Sequence, residues 1–178
     1  MENRIERALS SYYIKKITVT QICQELEISR VAFYYRYRTR EKFLADLVVK
    51  QLNKFLLSSK YGDLTRRVHV LIEAISENPI FWDNVARTIM HEPEAGRIIE
   101  RGIYMALKIY AENRGPYSNS TLKRVAMNLH HTGFFWAHHG FREHPHVLFH
   151  VVEPLVKEIE QQAELIDHIE YPCLRDKT

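Results

Sequence analysis

Apolar residues recur at three- and four-residue steps along most of the chain, the spacing of one helix face. In segment 2–13 they are Ile5, Ala8 and Leu9, which predict a short helix. Thr18 opens a second helix whose Val19, Ile22, Cys23 and Leu26 step i, i+3, i+4, i+7. Thr18 with Gln21 three residues on reads as a capping box. Leu26-Glu27-Ile28-Ser29 is a tight connection, and Ser29 is the N-cap of a third helix, Arg30 to about Arg36. Thr39 caps a longer helix carrying Phe43, Leu44, Leu47, Val48, Leu52 and Phe55, which Gly62-Asp63 is expected to end.

Beyond it the punctuation predicts a helix over 64–77 and one over 79–90, with Asn78 as N-cap and Pro79 in the first turn. Pro93 starts another, to about Asn113, before the break at Arg114-Gly115-Pro116. Asn119 or Ser120 caps a helix to about His139, which Gly140 ends. Pro145 starts the last, to about Ile169, with Pro154 expected to kink or divide it. Tyr171 to Thr178 reads as a frayed tail. No segment alternates as a strand and no internal repeat stands out, so the expected fold class is all-α.

Composition narrows this only a little. With 46% hydrophobic and 26% charged residues in 178, the chain is globular and long enough to bury a core without staples. Cys23 and Cys173 make no disulfide framework, and no apolar run approaches the roughly 18 residues of a membrane span. No signal-peptide pattern is visible at the start, so a cytoplasmic protein with no membrane partner is expected. Charge is more informative. Residues 1–60 hold 12 Lys and Arg against 6 Asp and Glu, and residues 61–178 hold 13 against 16. A basic head on a slightly acidic body suits a polyanion-binding segment with a different task for the remainder.

The second and third helices, joined by a short turn, form a helix-turn-helix unit. From Ser29 the third reads SRVAFYYRYRTR. Val31 and Ala32 are small enough for close approach to base edges, and Phe33 and Tyr37 can face inward with Ile28. That leaves Arg30, Tyr34, Tyr35 and Arg36 outward, with Arg38 and Arg40 following. Hydroxyls, guanidinium groups and free helix N-terminal amides suit phosphate oxygens, and Arg30 is long enough to read guanine in the major groove.

The stretch ITVTQICQELEISRVAFYYRYRTREKFLADLV resembles the DNA-binding region of TetR-type transcriptional regulators. The matching positions are Thr18, Ile22-Cys23, Glu27-Ile28, Ser29, Phe33-Tyr34, Arg36-Tyr37 and Thr39-Arg40-Glu41, within about 45 residues. The resemblance implies an N-terminal three-helix helix-turn-helix domain over 1–45 and a larger helical effector-binding and dimerisation domain over 46–178. It implies phosphate contacts from Thr18, Thr20, Tyr34 and Arg40, and base contacts from Arg30, Val31 and Tyr35, with Ser29 and Arg36 alongside. Two departures stand out. Arg40 replaces the usual lysine, and Glu27 occupies a place where a small residue is common.

The implied partners are double-stranded DNA, a second copy of the chain and an unidentified small effector; no cofactor is expected. Pocket candidates are Phe81, Trp82, Met90, Tyr104, Met105, Tyr110 and Met127, whose surface would suit an apolar or aromatic effector. Dimer-interface candidates are Leu122, Val125, Leu129, Phe134 and Trp136 on one C-terminal helix, with Val147, Val151, Leu155 and Ile159 on the other. Seven of the 10 histidines fall in 130–150, and His146, His150 and Glu153 share a helix face. A zinc- or nickel-sensing regulator is therefore the alternative reading. A milder one is an interface that titrates near pH 6. No nucleophile elbow, phosphate-cradling glycine loop or HExxH is present, and the chain is not expected to be an enzyme. A helical adaptor is the remaining non-regulator reading.

Overall fold

The computed structural model describes residues 2–167, with side chains described over 4–162. The fold is all-α. In chain order the helices are α1 (Glu2–Ser11), α2 (Val19–Leu26), α3 (Arg30–Tyr37), α4 (Arg40–Leu56), α5 (Leu64–Glu77), α6 (Pro79–Ile89), α7 (Pro93–Glu112), α8 (Asn119–His138) and α9 (Pro145–Asp167). Among the described residues there is no strand.

α4 is the spine. Its first turns bury Phe43, Leu44 and Ala45, with Phe43 against Phe33 of α3, and its later turns bury Leu47, Val48, Leu52 and Leu56. The expected boundary after residue 45 thus falls inside a continuous helix that both parts share. Ile5, Leu9, Ile17, Ile22 and Leu26 complete the N-terminal core. Phe33, Tyr37 and Phe43 form an aromatic triangle with ring centroids 4.9 to 5.8 Å apart, which pins α3 to α4.

Four local expectations are corrected. α4 ends at Leu56, followed by a 3-10 turn at Ser59–Tyr61 before Gly62 at φ +81°. The cause is the buried Arg67. Its guanidinium donates to the carbonyls of Leu56 (3.0 Å) and Gly62 (2.9 Å), meeting acceptors that a longer helix would have used itself. Asn78 holds the N-cap position of α6 but makes no side-chain capping bond; its amide donates to Ser10 Oγ at 2.9 Å and so ties α6 to α1. Ser118 rather than Asn119 or Ser120 caps α8, accepting from the Thr121 amide. Pro154 does not divide α9, which runs through it. The proline is solvent-exposed, where water can meet the carbonyl deprived of its partner. The expected tail at Tyr171–Thr178 and Cys173 lie outside the described residues.

Candidate functional site

The helix-turn-helix is built from short-range hydrogen bonds. Thr18 Oγ1 accepts from the Gln21 amide at 3.2 Å, and Gln21 Oε1 accepts from the Thr18 amide at 2.9 Å, closing the capping box. α2 ends on Glu27 in the left-handed region (φ +56°), with the Ile28 amide donating back to Cys23 O at 3.1 Å. A side chain there costs on the order of 1–2 kcal/mol, and an ion pair from Glu27 to Arg4 of α1 accompanies it. Ser29 Oγ accepts from the Ala32 amide at 3.1 Å and starts α3.

α3 is fixed on one side and bare on the other. Phe33 is fully buried and Tyr37 half-buried. Val31 is 81% exposed and Tyr35 92%, while Thr18, Thr20, Ser29, Arg30, Tyr34 and Arg36 are also exposed. Arg36 lies 5.1 Å from the Tyr37 ring centroid, a cation–π contact that holds it at the C-terminal end of the face. Large apolar and aromatic side chains left in water on one face of a pinned helix mark a surface awaiting a partner. Arg40 behaves differently. It is half-buried, pairs with Glu41 and donates Nη1 to the Ile17 carbonyl at 2.8 Å. Part of its guanidinium therefore ties the start of α4 to the approach of α2. Lys15 and Lys16, exposed just before Thr18, are two further cations for the same surface. The doublet preceding the hydroxyl-rich helix start was the available signal.

A cavity of about 500 Å³ lies in the body, walled by residues of α4 through α9. Leu52, Leu71, Trp82, Ile103 and Trp136 supply apolar wall. Of the seven pocket candidates, Trp82 and Met90 line it. Phe81 is buried behind Trp82, edge-on at 5.1 Å. Tyr104 turns outward, its hydroxyl donating to Asn119 Oδ1 at 3.1 Å. Met105 and Met127 are exposed. Tyr110 is buried two turns beyond the cavity, between Arg67 and Arg114, where its hydroxyl accepts from the Leu64 amide. The reason is helical phase. α7 faces the cavity with Gly96, Ile99, Glu100 and Ile103, so positions 104 and 105 are rotated away.

His130 of α8 is the distinctive polar group of this wall. Its ring lies over Gly96, where an added Cβ would stand 3.5 Å from Cε1. Its Nδ1 is buried, has no hydrogen-bond partner and sits 3.8 Å from Glu100 Oε2. Burial holds its pKa below the ordinary histidine value, opposed by the Glu100 charge and reinforced by that of His131.

The interface candidates separate by burial. Leu122, Val125, Trp136 and Ile159 are buried within this chain, so they are core of the protomer. Leu129 and Leu155 are half-buried, and Phe134, Val147 and Val151 are exposed together with Phe135. α8 and α9 carry apolar residues on more than one face, and only packing decides which face turns inward. The histidines of α9 form a pair, with His146 and His150 centroids 4.3 Å apart. Glu153, 3.7 Å from His150 Nδ1, is bound to Lys157 at 2.7 Å. Among the described residues no three His, Cys, Asp or Glu side chains are grouped to hold a metal ion. No helix among them is long and apolar enough to cross a membrane.

One family, described as "Protein of unknown function (DUF1492)", matches residues 1–45. No curated protein matches the chain. A solved structure named "Dihydroxyacetone kinase operon activator DhaS" superimposes with a TM-score of 0.54 at 16% sequence identity, covering 92% of this chain and 94% of its own. That similarity extends over head and body alike and shows a shared all-helical fold.

Proposed function

We propose that the chain is a TetR-type, homodimeric, sequence-specific DNA-binding regulator of transcription. Residues 1–45 form the reading head, and 46–178 bind an effector and pair the protomers. The observation that carries this reading is the bare face of α3, with Val31 and Tyr35 in solvent directly behind the anchor Phe33. In the major groove, Arg30, Val31 and Tyr35 meet base edges. Thr18, Thr20, Ser29, Tyr34 and Arg36 grip phosphates on either side. Arg40 contributes the N–H groups that Ile17 and Glu41 leave unused.

A second copy covers Phe134, Phe135, Val147 and Val151, so that two heads read a pseudo-palindromic operator. The cavity takes a small apolar or aromatic effector, and its occupancy shifts the spacing of the heads by differential affinity. The structural neighbour is an operon activator by its name, which supports regulation in general. Repression here follows the family resemblance, as does a cytoplasmic location.

The test is selection of bound duplexes from a random DNA pool. The expected result is enrichment of a two-fold symmetric sequence, lost with Arg30→Ala or Tyr35→Ala while the melting temperature is unchanged. Absence of any enriched sequence at moderate salt overturns the reading.

A further inference from the structure

The cavity does not end at its apolar wall. Arg97 and Glu100 line both it and a second, adjoining groove on the outer side of α7 and α8. That groove continues along Arg101, Tyr104, Lys123 and Arg124. Four cations therefore line the groove, with Glu100 as the one acid among its lining residues. Arg124 is already matched by Glu158 of α9. Arg97, Arg101 and Lys123 are exposed and have no ion-pair partner among the described residues. An apolar chamber that shares Arg97 and Glu100 with a groove whose cations are largely unpaired among the described residues is matched to a molecule with the same division of character. A wholly apolar ligand would leave the groove idle, and a wholly polar anion would forfeit the chamber.

We propose that cavity and groove together hold an amphipathic anion, with an aliphatic or aromatic tail among Leu52, Trp82, Ile103 and Trp136 and a carboxylate or phosphate head at Arg97, Arg101 and Lys123. The proposal rests on the reading of this cavity as the effector site and gives that effector its chemical class. His130 and Glu100 stand where tail meets head. The ring of His130 packs over Gly96, and its unpartnered Nδ1 supplies a hydrogen-bonding group beside Glu100. The volume of about 500 Å³ suits a tail of ordinary small-molecule size.

The chain's two tryptophans, Trp82 and Trp136, both line the cavity, so their fluorescence reports its occupancy without DNA present. The probes share one tail length: octanoate, octyl phosphate, 1-octanol and octylammonium, each titrated below its aggregation concentration. Charge-assisted hydrogen bonds to the head predict that an anion binds about tenfold more tightly than the alcohol, with octylammonium weakest. The preference shrinks as salt screens the exposed cations. Whichever of octanoate and octyl phosphate binds better identifies the head group. The triple variant Arg97→Gln, Arg101→Gln, Lys123→Gln should bring anion and alcohol to equal affinity while leaving the alcohol's own affinity and the melting temperature unchanged.

Equal binding of anion and alcohol by the wild-type protein overturns the proposal. So does an anion preference that survives the triple variant, or the absence of any fluorescence change. DNA binding is measured separately by fluorescence anisotropy of a labelled duplex. A protein that binds the anion but no DNA loses the regulator reading and keeps this one, and the converse result does the reverse.

Discussion

The side chain of Asn84, fully buried on α6, accepts a hydrogen bond from the Ile14 amide at 2.7 Å. Its Nδ2 donates to the carbonyls of Leu9 and Tyr12, both at 2.8 Å. One residue of the body thus closes the end of α1 and holds the segment that leads to α2. The opposite face of α6 carries Trp82, Val85 and Ile89 into the cavity wall. α6 therefore touches both the cavity and the approach to the helix-turn-helix, as α4 does through Leu52 and Arg40.

Asn84→Ala leaves three backbone groups without partners, and each buried orphan costs about 1–3 kcal/mol. The melting temperature should fall by several degrees, as read by circular dichroism. In the regulator reading, an effector that still binds Asn84→Ala loses most of its influence on DNA affinity. An unchanged melting temperature would show that water replaces the clamp without loss.

Gly102 of α7 lies against Val49 of α4, and an added Cβ would stand 2.6 Å from Val49 Cγ2. Alanine at a helical glycine normally gains up to about 1 kcal/mol. Overpacking costs about 1–3 kcal/mol and should dominate here. Gly102→Ala is expected to lower the melting temperature, and adding Val49→Ala should recover part of the loss. Independent, additive effects in the double variant would show that the two helices adjust instead.

His130 makes stability depend on pH. Its folded pKa lies below the ordinary 6.5, chiefly through burial. As pH falls through 6.5, the unfolded chain takes up this proton before the folded one does. Stability from the neutral ring is thus fully present above 6.5 and is lost as pH drops toward the folded value. Melting temperatures from pH 7.5 to 5.5 should decline more steeply for the wild-type protein than for His130→Gln. Parallel curves would show that His130 does not carry the decline.

The proposed dimer is open to a direct check. Val147 and Val151 are each 57% exposed on α9, and Phe135 of α8 is 52% exposed. Val151→Glu would bury a charge in a paired interface and should shift the sedimenting species from two chains to one, with helix content unchanged. A wild-type protein sedimenting as one chain would remove the pairing.

The parts of the site legible in the sequence are those made by neighbours in the chain. Thr18 finds Gln21 and Ser29 finds the Ala32 amide, each three residues away, so residue types at that spacing suffice to specify the caps. The same holds for the division of α3 into a buried Phe33 and an exposed Tyr35, because helical pitch alone separates them.

Arg40 marks the limit. It reads as a free phosphate ligand, yet its Nη1 reaches Ile17 O, 23 residues back. The end of α4 is likewise decided by Arg67, and the entry to α2 is held by Asn84, 70 residues beyond Ile14. The division of α8 and α9 into core and free face, and the choice of cavity-lining residues, also came from packing. Hydrophobic periodicity gives each helix an apolar side, but where several stripes compete, only the neighbouring helices select the one that leaves water. Local hydrogen bonding therefore determined the helix-turn-helix, and burial between distant segments determined the chamber behind it.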